Sequence, residues 1–249
     1  MTARSPRRSF SGTALKTIAC ITMLVDHIGA SCIEAGILTP GLEFGTLSQD
    51  TLSADPLYRL DMVLRFTGRL AFPLFCFLLV EGFVHTHNVK GYLGRLVLFG
   101  FLSEVPFDLA FFRTPFSPGA QNVYWTLALG VLAMAGLKRF EKETGLPGWQ
   151  GLVWAGGCAA LAEWMGTDYG AIGVALIVGL YLTRRSRKQQ CILGAAMMAW
   201  ELTAPLAFVP VRFYNGERGF CPQWAKWAFY LFYPVHLTVL AAVTNLLLG

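Results

Sequence analysis

Stretches of mostly apolar residues, each near the roughly 20 that a helix needs to cross a bilayer, recur along most of this chain. Lipid offers no water to a backbone amide, so each stretch must satisfy its own hydrogen bonds, which in one short segment means a helix. This excludes most folds open to 249 residues. Eight segments emerge: Leu15 to Leu38, Met62 to Val84, Tyr92 to Phe112, Val123 to Leu137, Trp149 to Met165, Tyr169 to Thr183, Cys191 to Phe208 and Trp224 to Leu248. The expected fold class is all-α, a polytopic integral membrane protein of about eight transmembrane helices. The fifth and sixth segments are short, which leaves open a helical hairpin that does not fully cross. Composition agrees, since only 14% of residues are Asp, Glu, Lys or Arg, against roughly 25% in a soluble domain. The chain divides into a basic N-terminal segment, residues 1–14, expected in the cytoplasm, and a single transmembrane domain, residues 15–249.

Basic residues orient such a chain, because cytoplasmic flanks carry an excess of Lys and Arg. With the N-terminus cytoplasmic, the inner flanks hold Arg4, Arg7, Arg8, Lys16, Lys90, Arg95, Lys138, Arg139, Lys142, Arg184, Arg185, Arg187 and Lys188. The outer side keeps Arg59, Arg65, Arg69, Arg113, Arg212, Arg218 and Lys226. This bias favours eight spans with both termini inside. It also accounts for the net charge of +5 without nucleic acid, for which there is no exposed basic patch with interleaved aromatics. Arg7 and Arg8 look like a twin-arginine export signal, but Lys16, Asp26 and His27 follow and no small-residue cleavage site does, so a retained first helix is expected. Two loops are expected outside: Glu43 to Asp61, with a short helix, and Phe208 to Trp224. The second carries Arg212, Asn215, Glu217 and Arg218, and reads as an ordinary solvated loop or as a basic lid. The six cysteines form no C-x-x-C pair and read as small buried apolar groups; Cys32 and Cys221, both toward the outer face, leave one disulfide open.

The informative residues are the ionisable ones inside the apolar segments. A charge at the bilayer centre costs at least ~2.5–3.5 kcal/mol, and groups kept at that cost face a cavity or a partner. Asp26 and His27 lie midway along the first segment. Glu104 and Asp108, four apart on one face of the third, flank Pro106, which kinks a helix. Arg69 falls in the outer part of the second segment, Asn122 and Thr126 open the fourth, Asp168 and Tyr169 open the sixth, and Tyr230, Tyr233 and His236 occupy the outer half of the eighth. Polar groups from six helices thus share one depth, the arrangement of a buried site that opens outward. Bland readings stand beside these. Arg69 would neutralise Glu104 or Asp108, His236 would cap the kink at Pro234, Glu81 and His85 would be a boundary pair, and Glu163 and Glu201 would be structural. Adjacent helical side chains diverge by about 100°, so Asp26 and His27 are not read as a dyad. Imidazole is a ready general base, and Arg69 suits an anion or a developing oxyanion. No G-x-S-x-G or H-E-x-x-H motif is present, and the His and carboxylate spacing assigns no metal. A proton-coupled secondary transporter and a non-catalytic assembly protein remain the alternatives to an enzyme.

These residues also fall in recognisable strings. Leu15-Lys16-x-Ile18-Ala19 leads to Met23-x-x-Asp26-His27-x-Gly29, then to Gly68-Arg69-Leu70-Ala71-Phe72-Pro73-Leu74-Phe75-Cys76-Phe77 with Glu81-Gly82-Phe83. Ser103-Glu104-Val105-Pro106-Phe107-Asp108, Asn122-Val123-x-x-Thr126 and Asp168-Tyr169-Gly170-x-x-Gly173 follow. The last are Tyr214-Asn215-Gly216 and Phe229-Tyr230-x-Phe232-Tyr233-Pro234-x-His236-Leu237. Together they resemble the TraX family, named for an F-type conjugative pilin acetylase and similar to the wider type 3 acyltransferases. The resemblance implies a protein of the bacterial cytoplasmic (inner) membrane that moves an acetyl or other acyl group from acetyl-CoA or a related acyl-CoA to an extracytoplasmic acceptor, a pilin, glycan or lipid. His27, with Asp26 and Arg69, would be catalytic. Glu104, Asp108, Asn122, Thr126, Asp168, Tyr169, Asn215, Tyr230, Tyr233 and His236 would bind substrate. Glu81, His85, Arg184 and Arg185 would receive the CoA.

Overall fold

The computed structural model describes residues 10–43, 47, 52–143 and 145–248. Among these residues the protein is all-α, with β-pairing confined to isolated bridges such as Phe10 with Tyr214. Helix α1 (Gly12–His27) starts at Ser11, whose hydroxyl accepts the Ala14 N–H, an N-cap bond. From Ile28 to Leu38 the helix widens, so that the Thr39 N–H donates to the Glu34 carbonyl five residues back, and α2 (Thr39–Glu43) completes the rod. The widening falls where the next helix crosses closely. A β-carbon on Gly29 would lie 2.7 Å from Asp61 Oδ1, and one on Gly68 would overlap Asp26.

After a single turn at Leu52–Ala54, α3 (Pro56–Gly68) starts with Asp55 as N-cap and Pro56 in the first helical position. The second apolar segment therefore begins earlier than the expected Met62. It also breaks at Arg69 and Leu70 before α4 (Ala71–His85). Pro73 explains the break, because it lacks the N–H that would bond the Arg69 carbonyl four residues back. Helices α5 (Val89–Phe111), α6 (Val123–Arg139), α7 (Trp149–Trp164) and α8 (Gly170–Leu182) follow in alternating directions. Among the described residues three stretches are long and apolar enough to cross a membrane: Gly12–Glu43, Pro56–His85 and Trp224–Leu246. α7 and α8, of 16 and 13 residues, extend about 24 and 20 Å against a hydrocarbon core of about 30 Å.

Two expectations are overturned in the last third of the chain. The segment from Cys191 to Phe208 is not one helix. Helix α9 (Arg187–Met197) ends in a turn at Ala199 to Glu201, and the chain returns through the tight turn Ala204–Ala207 and α10 (Phe208–Arg212). Both legs touch: a β-carbon on Gly194 would meet the Phe208 ring. Arg187, at the start of the hairpin, and Tyr214, just past its end, both pack on Phe77. The hairpin therefore enters and leaves on the same side. Its residues explain why, since α9 opens with Arg187, Lys188, Gln189 and Gln190 rather than an apolar run.

Helix α11 (Gln223–Leu248) consequently runs parallel to α1, not antiparallel as eight crossings require. Three levels show it: Lys16 lies 5.5 Å from the Phe229 ring, His27 meets His236, and Cys32 Sγ accepts from Thr244 Oγ1 at 3.4 Å. The segment from Phe213 to Pro222 lies against the start of α1, with the Gly12 and Thr13 amides donating to the Glu217 and Arg218 carbonyls at 2.8 and 2.9 Å. It is not a lid at the opposite end. Cys221 sits there beside Arg218, while Cys32 is a helix-length away, so the disulfide left open does not form and all six cysteines are free. The expected loop from Glu43 to Asp61 lies partly outside the described residues, as do Arg4, Arg7 and Arg8 of the basic N-terminal segment.

Candidate active site

A cavity of about 700 Å³ lies among α1, the break between α3 and α4, α5, α6, the turn before α8, and α11. Its inner wall is formed by Met23, Leu127 and Phe229, and its rim by Glu43 and Arg113 at the end of the bundle away from Gly12. Six of the residues singled out in the sequence line it: Asp26, His27, Arg69, Asp168, Tyr169 and Tyr233. These six, from separate parts of the chain, meet at one cavity.

His27 occupies the last α-helical turn before the rod widens, and it reaches both the cavity and α11. Its Nδ1 lies 2.6 Å from His236 Nε2. His236 Nδ1 in turn lies 2.6 Å from the Phe232 carbonyl, which only accepts. The partners therefore assign the tautomers: His236 donates from Nδ1 and, when neutral, accepts at Nε2, so His27 donates from Nδ1. This leaves His27 Nε2 unprotonated, with no partner among the described residues, on a ring that borders the cavity. His236 is buried behind it, 7% exposed. It orients the His27 ring and is absent from the cavity lining, and it does more than cap the Pro234 kink. The rings stack at 4.9 Å, and Phe111 and Tyr233 pack edge-on to His27 at 5.2 and 5.8 Å.

Asp26 points away from His27, toward α3, where its Oδ2 accepts from Arg65 Nη1 at 2.7 Å. Arg65 also reaches Glu34 at 3.5 Å. Arg65 was not among the expected site residues, yet Asp61, Arg65 and Arg69 are spaced four apart, a helical stripe visible in the sequence. Arg69 pairs with neither Glu104 nor Asp108. Its Nη1 donates to Glu201 at 3.2 Å, from the tip of the hairpin, with the Tyr169 hydroxyl also in reach. Tyr169 has a left-handed backbone, φ 63°, which is costly for a bulky residue. Its ring stacks on Phe72 at 3.6 Å. The cavity is thus lined by ion-paired guanidiniums, Arg65 and Arg69, with Asp26 and Asp168 beside them, by aromatic rings, Phe107, Phe111 and Tyr233, and by His27. Tyr124, on the same wall and donating to the Tyr230 carbonyl at 2.8 Å, was missed because nothing local in the sequence marks it.

The other expected site residues hold the scaffold. Glu104 accepts from Asn122 and from Trp125 Nε1, and Asn122 also donates to the Gly100 carbonyl at 2.8 Å, clamping α5 to α6. Asp108 accepts the Ser117 amide at 2.9 Å. Thr126 donates to the Asp168 carbonyl, fixing the turn before α8. Asn215 caps its own loop by accepting the Glu217 amide, at the end opposite the rim. Tyr230 packs between α5 and α6, against Phe99 at 5.1 Å. The four residues expected to receive CoA are not on the cavity. Glu81 pairs with Arg187 at 3.2 Å, His85 bonds the Glu81 carbonyl at 2.8 Å, and Arg184 and Arg185 lie 2.9 and 3.8 Å from Glu141.

A family model described as "TraX protein" matches residues 11–244. A probable fimbrial assembly protein FimC, serogroup H1, of Dichelobacter nodosus is 31% identical over 265 residues, which cover 94% of this chain and 95% of that protein. No solved structure matches.

Proposed function

This chain belongs to the TraX family, and on that premise we propose that it is a multi-pass protein of the bacterial cytoplasmic membrane that transfers an acetyl or other acyl group from cytoplasmic acyl-CoA to an extracytoplasmic acceptor. The relative named for fimbrial assembly supports a pilus subunit as that acceptor, ahead of a glycan or a lipid. The observation that carries the reading is the His27–His236 pair, whose hydrogen bonds leave His27 Nε2 free on a ring bordering a cavity that Arg65 and Arg69 also line.

In this reading the acceptor hydroxyl or amine enters from the rim and gives its proton to His27 Nε2 as its heteroatom attacks the thioester carbonyl. The positive charge gained by His27 is shared toward His236. Arg69 and Arg65 stabilise the oxyanion of the tetrahedral intermediate. The carbon–sulfur bond then breaks, the thiolate leaves, and the proton on His27 Nε2 passes to it, regenerating the base. Membranes containing the protein, given radiolabelled acetyl-CoA and purified pilin, are expected to release CoA and to add one acetyl mass to the pilin. Absence of label from pilin, glycan and lipid fractions alike, beside proton-coupled uptake in proteoliposomes, would replace the enzyme with a transporter.

Topology supports the same placement. If the end holding Gly12 is cytoplasmic, the parallel course of α11 brings Arg212, Arg218 and Lys226 to that side with the other basic flanks. Only Arg59, Arg65, Arg69 and Arg113 of the 20 Lys and Arg then lie elsewhere. The bias is stronger than with eight spans, and it gives seven crossings, one returning hairpin and an outer C-terminus. Alkaline phosphatase fused after Leu248 is expected to be active, and fused at Gly216 inactive; the opposite pattern would restore eight crossings.

A further inference from the structure

Four cations lie toward the end of the bundle opposite the cavity rim, and among the described residues no ion pair meets them. Lys16 of α1, Arg218 of the segment before α11 and Lys226 of α11 lie within one another's fields, and Arg95 of α5 lies within that of Lys226. Among the described residues, ion pairs engage Arg65, Arg69, Arg184, Arg185 and Arg187, and none of these four. Glu217, beside Arg218, makes no ion pair and takes part through its carbonyl, which accepts the Gly12 amide. Residues 1–9 of the sequence contain Arg4, Arg7 and Arg8 and no Asp or Glu. The Arg95 guanidinium lies 5.7 Å from the Tyr92 ring and meets the Tyr230 hydroxyl, and its buried Nε alone has no hydrogen-bond partner among the described residues.

Membrane topology alone places basic residues at helix ends, but it does not bring four of them from separate parts of the chain to one point. Like charges held together repel, and a buried guanidinium donor without a partner is costly. Both conditions are relieved by an anion with several oxygens. The position is equally informative. Lys16 sits over Phe229, and Phe229 forms the inner wall of the cavity. Along the parallel helices, His27 is about 16 Å from Lys16 and His236 about 15 Å from Lys226 at 1.5 Å per residue.

We propose that Lys16, Arg95, Arg218 and Lys226 bind a polyphosphate anion of the kind carried by the phosphoadenosine diphosphate end of acyl-CoA, and that Phe229 is the partition its acyl arm passes to reach His27. The choice of donor rests on the acyl-transfer reading; the anion site does not. It is distinct from Arg184 and Arg185, which share the Glu141 carboxylate.

The test is calorimetric titration of CoA into the purified full-length protein in nanodiscs of neutral phosphatidylcholine. Wild type is expected to bind, more weakly as salt rises. The Arg218→Gln/Lys226→Gln variant is expected to lose at least about 10-fold in affinity, as loss of charge-assisted bonds implies. Lys226→Arg and Arg184→Gln/Arg185→Gln should stay close to wild type. Thermal unfolding of each variant, unchanged from wild type, establishes that the fold is intact. 3′-Phosphoadenosine 5′-diphosphate, which lacks the arm, should compete for the same site. If CoA binding is unchanged in the double Gln variant but retention of phosphatidylglycerol, read by native mass spectrometry, falls, the anion is a lipid headgroup and the donor assignment is overturned. If neither changes, the anion site is overturned. CoA binding that needs these residues, in a protein that acetylates nothing, would uphold the site and remove the acyl-transfer reading.

Discussion

His27→Ala is expected to lower acyl transfer by about 10²- to 10⁴-fold, the usual contribution of a positioned general base, while the protein still inserts and unfolds at the wild-type temperature. The loss should fall on kcat with KM little changed, because His27 acts on a proton in flight and does not anchor either substrate. His236→Ala should cause a smaller loss, since it removes the acceptor that sets the His27 tautomer and shares the charge formed on it. His27→Ala/His236→Ala should be no slower than His27→Ala alone, because two residues acting as one unit are not additive. His236→Gln, which can still accept from His27, should recover part of what His236→Ala loses. Turnover near wild type in a correctly inserted His27→Ala protein would remove this histidine from the mechanism.

The second large effect is on stability. Glu201→Ala is expected to cost about 3–5 kcal/mol, the range seen when one partner of a buried ion pair is removed. Glu201 is nearly buried, at 5% side-chain exposure, and it is the ion-pair partner of Arg69. The tip of the hairpin is otherwise tied to α3 by Thr203 Oγ1, which donates to the Phe66 carbonyl at 2.5 Å. Removing the carboxylate leaves the Arg69 guanidinium without its ion-pair partner and frees one of these two ties. Arg69→Met/Glu201→Met should recover most of the stability, because an apolar pair of similar volume replaces a costly charged one. It should not recover transfer, because the cavity then lacks one of the two guanidiniums, Arg65 and Arg69, assigned to the oxyanion. A thermal melt of Glu201→Ala in detergent that matches wild type would show that Arg69 does not depend on the hairpin.

Much of the site was legible because charge inside an apolar helix is conspicuous. Asp26, His27, Arg69 and Asp168 stand out one by one, and counting helix turns gives them a common depth. Pairing was not legible. Arg69 and Glu201 are far apart in sequence, and which carboxylate meets Arg69 depends on where the hairpin turns. Asp26 and His27 are neighbours whose side chains serve different helices, Asp26 toward Arg65 of α3 and His27 toward His236 of α11. Glu104, Asn122 and Asp108 carry the same residue types as the site, but they are spent on holding α5 to α6 and on one loop. Residue type and depth cannot separate a side chain that faces a cavity from one that faces a neighbouring backbone.

The sequence by itself determined that this is a membrane protein of helices with ionisable groups at mid-depth, since hydropathy and helix pitch are local properties. The tertiary structure decided which way the last helix runs. The stretch from Cys191 to Phe208 has enough apolar residues to suggest a span, but its polar start and the turn at Glu201 fold it back on itself. That single reversal turns α11 parallel to α1, which is what brings His236 beside His27 and Lys226 beside Lys16. Helix direction is a property of the whole path, and only the packed bundle records it.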